Sequence, residues 1–179
     1  MLRVVALALL LLLALVAALT MRTLSQLPDV TVYLVRDAGG SFVLEPVYRR
    51  MRAAARDAGG ASHPTAATVR VAVTALAAGP SAEEAERGLA SEVPSATRVL
   101  HVAFDDGLVT VDLSQAFTEG GGTASMLGRL HQVLYTAARP GGVEAVRVLV
   151  EGRPLEVLGG EGILVAQPWR PPAAGLPRW

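Results

Sequence analysis

The sequence predicts an α/β domain of the α+β type, mainly antiparallel strands and hairpins packed with two main helices, after an N-terminal membrane helix. Three observations predict it. Residues 30–35 alternate β-branched and aromatic side chains, Asp106-Gly107 sits at the centre of a symmetric apolar pattern, and Leu127, Leu130, Leu134 and Ala137 recur at helical spacing. The chain has 179 residues, no cysteine, and as many acidic as basic residues. That length suits one domain of ordinary size and excludes a multidomain enzyme. All sixteen basic residues are arginine, and asparagine is absent. Such a bias arises at the codon level, so the arginines are not evidence for phosphate or nucleic acid. A net charge of zero also argues against a nucleic-acid partner, which calls for a basic patch or stripe.

Residues 4–19 are sixteen uninterrupted apolar residues, with Arg3 before them and Arg22 after. This run is slightly short of the ~20 residues that span a bilayer and slightly long for a signal-peptide core. Residues 1–22 are therefore expected to be a membrane anchor or a signal segment, with the uncleaved single-pass anchor favoured. Arg3 would stay inside, which places the remainder outside the cytoplasm; cleavage would release it as an exported protein. With no cysteine, neither lipid attachment at a cysteine nor a disulfide framework is available.

Residues 23–28 read as a linker and residues 29–167 as the domain. After the first strand, Asp37-Ala38-Gly39-Gly40 turns the chain into a second extended run at 42–48. Pro46 cannot donate to a ladder, so this run is expected at a sheet edge. Arg49, Arg50, Arg52 and Arg56 follow among alanines as a surface connection closed by Gly59-Gly60. Residues 65–78 carry Val69, Ala72, Val73 and Leu76 at helical spacing; β-branched 69–73 is ambiguous, and Pro64 and Gly79-Pro80 decide for helix. Ser81-Ala82-Glu83-Glu84 is a capping-box pattern that opens a short second helix ending at Gly88.

With Asp106-Gly107 as a two-residue turn, Phe104 faces Val109, Val102 faces Val111, and Leu100 faces Leu113. The same register sets His101 opposite Asp112 on the other face. Glu119-Gly120-Gly121-Gly122 then breaks the chain before Thr123, the expected N-cap of a long helix to Ala138. Its buried stripe is Leu127, Leu130, Leu134 and Ala137, with Met126 and Val133 alongside and Arg129, Gln132 and Thr136 pointing out. A second hairpin is expected to pair Val146, Val148 and Val150 with residues 155–157 around Glu151-Gly152-Arg153. Ile163-Leu164-Val165 is a last run able to pack, and residues 168–179 read as a Pro-rich mobile tail.

These residues, in this order, resemble the GerMN domain family of the sporulation and spore-germination protein GerM. The resemblance rests on Leu76-Ala77-Ala78-Gly79-Pro80-Ser81 with Glu83-Glu84, then Gly88-Leu89, Ser91 and Pro94. It continues through residues 103–117 with Val111-Asp112-Leu113-Ser114, then Gln132-Val133-Leu134-Tyr135-Thr136 and residues 146–152. Leu44-Glu45-Pro46-Val47 stands where such domains carry an extended segment. The match covers residues 30–165. It implies an extracytoplasmic α/β domain of the bacterial cell envelope that acts as a scaffold in sporulation or germination, with no established catalytic site. This chain departs in having one unit rather than two, no lipid-attachment cysteine, and Ala96 where the family often has Gly, so the resemblance bears on fold more than on process.

No constellation of catalytic residues stands out. His101, Asp112 and Ser114 could be drawn as a triad, but the hairpin already accounts for them. His63, His101 and His131 lack metal-ligand spacing, Asp105-Asp106-Gly107 is what a tight turn requires, and the Gly120-Gly121-Gly122 loop lacks the Gly-Lys-Ser/Thr ending of a P-loop. The expectation is a non-catalytic protein with no cofactor and no metal. Its partners are expected to be envelope proteins or a second copy, with cell-wall glycan or another small ligand as the alternative. The candidate interaction surface is Pro46, Arg49, Arg50 and Arg52 with Gly120, Gly121 and Gly122.

Overall fold

The computed structural model describes residues 12–13, 29–50, 63–160, 162–172 and 175–179. The expected membrane segment and linker, and Arg52 and Arg56, lie outside the described residues apart from Leu12 and Leu13. Among the described residues no helix is long and apolar enough to cross a membrane.

Strands β1 (Asp29–Asp37) and β2 (Phe42–Arg50) form an antiparallel hairpin in continuous register from Asp29↔Arg50 to Asp37↔Phe42. Gly39 and Gly40 hold φ of 74° and 94° in its turn, where a side chain would be strained. Helices α1 (Pro64–Ala77) and α2 (Ala82–Glu86) follow. The capping box on α2 forms as the sequence predicts: Ser81 Oγ accepts the Glu84 N–H, and Glu84 Oε2 accepts the Ser81 N–H at 2.7 Å. The two-residue β3 (Leu89–Ala90) pairs with β1, giving the order β2-β1-β3. Pro46 therefore does lie on an edge strand.

Strands β4 (Val99–Asp105) and β5 (Leu108–Leu113) form the hairpin expected around Asp106-Gly107. Asp106 and Gly107 hold φ of 42° and 77°, the left-handed pair of a type I′ turn. Phe104↔Val109, Val102↔Val111 and His101↔Asp112 pair as predicted. Leu100 does not face Leu113. An irregularity between Val99 and His101 sets Val99 opposite Leu113 and leaves Leu100 exposed. Arg70 from α1 donates to the Val99 and Leu100 carbonyls, so the irregular segment has a partner other than β5.

A 3-10 turn (Gln115–Thr118) leads into helix α3 (Thr123–Ala138), which crosses over to β6 (Ala145–Val150). Strand β6 runs parallel to β5, from Leu108↔Ala145 to Leu113↔Val150. The expected hairpin partner of β6 shrinks to β7 (Arg153–Pro154), beyond which Leu155 N–H still donates to the Val148 carbonyl at 3.0 Å while the Leu155 carbonyl accepts from Gln167 Nε2. Val157 pairs elsewhere, β8 (Val157–Leu158) against β9 (Ile163–Leu164). The result is a mixed α/β fold that, among residues 29–179 as described, has a sheet β2-β1-β3, a sheet β4-β5-β6-β7, the small β8-β9 pair and the helices α1, α2 and α3. Helices α1 and α3 pack on each other and on β1, while α1 also meets β4 and α3 meets β5 and β6. The core is the shared apolar face of these elements, including Val32, Leu34, Val69, Leu76, Val111, Val133, Leu134 and Val148.

Helix α3 corrects the sequence reading twice. Thr123 is inside the helix, and Gly122 is the N-cap, without a side-chain cap. Arg129, Gln132 and Thr136, expected to point out, are 3%, 0% and 0% exposed. Arg129 turns to the carbonyls of Phe117, Glu119 and Gly120. For Gln132 and Thr136 the cause is β1: beyond β3 its inner edge has no strand partner among the described residues, and α3 lies in that place. Thr136 Oγ1 accepts the Tyr33 N–H at 3.1 Å, and Gln132 Nε2 donates to the Tyr33 carbonyl at 2.9 Å. One helical turn apart, these side chains stand in for the main-chain groups of a missing strand. Gln132 Oε1 also accepts the Glu92 N–H at 2.7 Å.

Where the sequence predicts a mobile tail, two tryptophans tie it down. Trp169 exchanges two main-chain hydrogen bonds of 2.8 Å with Val146, and Trp179 exchanges two with Phe42. Apolar rings outweigh the surrounding prolines here because each finds an aromatic neighbour: Trp169 lies on Tyr135 and Trp179 on His131.

Candidate functional site

The outer edge of β2 follows from the ladder's parity. Tyr33 turns its N–H and C=O toward α3, so Tyr33↔Pro46 is a pair without mutual hydrogen bonds. The nitrogen of Pro46 then faces the open side, and its missing N–H costs the sheet nothing. Tyr48, two residues on, stands 73% exposed. Between this edge and α2 runs an open groove of about 580 Å³, bounded by Pro46, Tyr48 and Arg50 on one side and Ser81, Glu83 and Arg87 on the other.

Arg49 is not part of a loose cationic cluster. As a β2 residue alternating with Tyr48 it points inward, where its Nε donates to Glu84 Oε1 at 3.0 Å and its Nη2 donates to Glu84 Oε2. The same guanidinium donates to the carbonyls of Ala75 at 2.8 Å and Gly79 at 3.0 Å. It thus binds the carbonyl end of α1 and the carboxylate at the start of α2, each with the charge that helix end favours. Burial by itself would raise the Glu84 carboxyl, but hydrogen bonds from Arg49 and Ser81 and the charge of Arg49 hold it below its ordinary value. On the groove's flank Glu45 bridges Arg36 at 2.7 Å and Arg87 at 2.8 Å. Of the expected surface, then, Pro46 and Arg50 line the groove, Arg49 anchors its floor, and Arg52 lies outside the described residues.

Gly120, Gly121 and Gly122 are exposed and lie on a different surface. Gly121 and Gly122 bound a slot of about 220 Å³ with Gly159, Gly160, Met126 and Ile163. The loop is shaped from below by Arg129, which donates to the carbonyls of Phe117, Glu119 and Gly120 and to Ser125 Oγ. Burial lowers the Arg129 pKa, opposed by the charge of Glu92. A Cβ on Gly121 would stand 2.7 Å from Arg129 Nη2, so glycine there admits the guanidinium.

Two of the imagined triad residues serve the backbone, and His101 lies exposed opposite Asp112 on the hairpin. Ser114 Oγ accepts the Arg98 N–H and Asp112 Oδ1 accepts the Gly152 N–H, both at 2.9 Å. His63 caps α1 through Nδ1 and stacks on Phe104. Among the described residues no group of three His, Asp or Glu could hold a metal ion. Sequence reasoning missed Tyr48, Glu84 and Arg87 as parts of the edge groove, although the capping box and the Pro46 edge were both readable. It also missed an aromatic strip on α3, whose one signal is Gly128 inside an otherwise regular helix.

Comparison with known proteins agrees with this architecture. The family model Germane, described as sporulation and spore germination, matches residues 31–156. The tandem GerMN domains of the sporulation protein GerM from Bacillus subtilis align with a TM-score of 0.64 at 23% identity, covering 83% of this chain and 47% of that one. This chain thus spans about half the length of the tandem structure. The first GerMN domain of the same protein gives 0.60 at 18% identity over 80% of this chain and 97% of that one. A putative lipoprotein from Clostridium perfringens gives 0.53 at 17% identity, over 82% of this chain and 89% of that one. No curated protein matches the chain. The sheet–helix layout, the residues matched by the family model and the likeness to both GerM structures lead to one assignment: the chain belongs to the sporulation and spore germination family and carries a GerMN-like domain.

Proposed function

We propose that this protein is a non-catalytic interaction module of the cell envelope, held at the membrane by its N-terminal segment, with the GerMN-like domain outside the cytoplasm. The domain binds a protein partner along the edge of β2. The observation that carries this reading is the groove between that edge and α2: an outward Tyr48, a main-chain edge that past Val43 has no strand partner among the described residues, and a floor fixed by the Arg49–Glu84 pair. An exposed strand edge offers main-chain groups to an extended partner, and a rigid second wall gives the contact selectivity. Kinship with a sporulation and germination family supports an envelope setting. The test is cross-linking in native membranes with the affinity-tagged full chain. Specific recovery of envelope proteins supports the proposal; recovery of neither a partner nor a second copy overturns it.

The slot between the two glycine loops supports a second reading, a module that binds cell-wall glycan or another small envelope ligand. It requires the protein to co-sediment with purified cell wall, or to gain thermal stability with wall fragments.

A further inference from the structure

One strip of α3 lies outside the main core and the edge groove and borders a smaller apolar cluster, in which Phe42, Tyr135 and Trp179 pack against Tyr33, Val35 and Leu44. Ala124, Gly128, His131 and Tyr135 recur at i, i+4, i+7 and i+11, which places them on one face of the helix. Trp179 lies across this strip. Its indole Nε1 donates to the Ala124 carbonyl at 3.2 Å, and its ring is 4.9 Å from His131 and 6.3 Å from Phe42, centre to centre. A Cβ on Gly128 would stand 3.4 Å from Trp179 Cζ2 and 2.8 Å from Glu92 Cγ. Glycine inside a helix costs stability relative to alanine, and here it leaves a flat seat for the indole and for Glu92.

The main chain of this segment pairs as a strand would. Phe42 N–H donates to the Trp179 carbonyl at 2.8 Å, Trp179 N–H donates to the Phe42 carbonyl at 3.3 Å, and Val43 and Arg178 form an antiparallel bridge. The next position along is Pro177, which has no N–H to offer Leu44, so the pairing stops after one rung. A notch for a large aromatic ring beside a strand edge is the arrangement by which sheets take up extended peptides. The occupant present is held by one rung, the indole hydrogen bond to Ala124 and the ring contacts to Phe42 and His131, while the same edge continues past Leu44 to the exposed Tyr48.

We infer that the notch formed by Phe42, Ala124, Gly128 and His131 is a binding site for an extended, tryptophan-bearing segment of a partner protein. Residues 175–179 fill it in cis and are displaced when such a segment pairs with β2. This inference rests on the edge-binding reading above and adds the chemical class of the partner segment.

The test uses the full chain and a fluorescent peptide of residues 168–179 as the probe, followed by anisotropy. The peptide is expected to bind the Trp179→Ala protein at least tenfold more tightly than the wild type, whose notch is filled. Adding Gly128→Leu to that variant is expected to abolish binding. If Trp179→Ala loses its cooperative thermal transition, a chain lacking residues 175–179 takes its place in the same titration. Equal binding to wild type and variant, or no binding to a variant that keeps its transition, overturns the inference. So does concentration-dependent self-association of the emptied variant, which would assign the notch to a second copy. Membrane cross-linking at the edge groove does not depend on Trp179, so failure here and failure of the edge-binding reading are separate results.

Discussion

The guanidinium of Arg49 donates to both carboxylate oxygens of Glu84, joining the outermost strand to the start of α2. The side chains are 17% and 11% exposed, so the pair is largely shielded from water. Removing Arg49 strands the Glu84 carboxylate and also uncaps the Ala75 and Gly79 carbonyls. Arg49→Ala is expected to lower stability by about 3 kcal/mol, and Arg49→Lys to recover only part of it because an ammonium lacks the planar fork. Urea unfolding of the two variants measures both.

The same pair sets an acid dependence. The Glu84 carboxyl is held below its ordinary value of 4.5, so the folded state binds its proton less readily than the unfolded chain does. Its contribution is fully present above that ordinary value and is lost as pH falls through the lower folded value. Melting temperatures between pH 6 and pH 3 should fall less steeply in Glu84→Gln than in the wild type, from a lower starting point.

Replacing Thr136 by Val keeps the shape of the side chain and removes the acceptor of the Tyr33 N–H. The expected cost is about 1–3 kcal/mol, the penalty for a buried donor left without a partner. Hydrogen exchange locates the effect: the Tyr33 amide should lose protection in Thr136→Val, while the amides of β5 and β6 change only as far as global stability does. Gln132→Leu should do the same to the Tyr33 carbonyl and also release the Glu92 N–H.

His131 works in the opposite sense to Glu84. Burial pulls its pKa below the ordinary 6.5, and its Nδ1 is buried without a hydrogen-bond partner among the described residues. As pH drops through 6.5 the unfolded chain takes up a proton that the folded protein resists, so stability falls until the lower folded value is passed. His131→Phe keeps a ring against Trp179 and should flatten the stability profile between pH 7 and pH 5.

What could be read from the sequence was whatever local rules decide. Asp106-Gly107 dictates its own turn, so the central register of β4–β5 follows, and Ser81 and Glu84 name a helix start wherever it is placed. The failures have a common cause in tertiary context. Leu100 slips out of register at a segment where Arg70 binds two carbonyls. Gln132 and Thr136 look outward on a helical wheel because a wheel knows nothing of a neighbouring strand with unpaired main-chain groups, and Arg129 because it knows nothing of the carbonyls of Phe117, Glu119 and Gly120. Trp179 was hidden by its prolines, and the candidate site was half legible for the same reason: Pro46 marks the edge by itself, whereas the role of Arg49 depends on helix ends 26 to 35 residues away.

The most direct test of the edge-binding account is site-specific photo-cross-linking in native membranes, with the reactive residue at Tyr48 and, as a control, at the exposed turn residue Asp106. The account predicts a discrete adduct with a separate envelope protein from Tyr48 and none from Asp106. Identical adducts from both positions, or none from Tyr48, would contradict it.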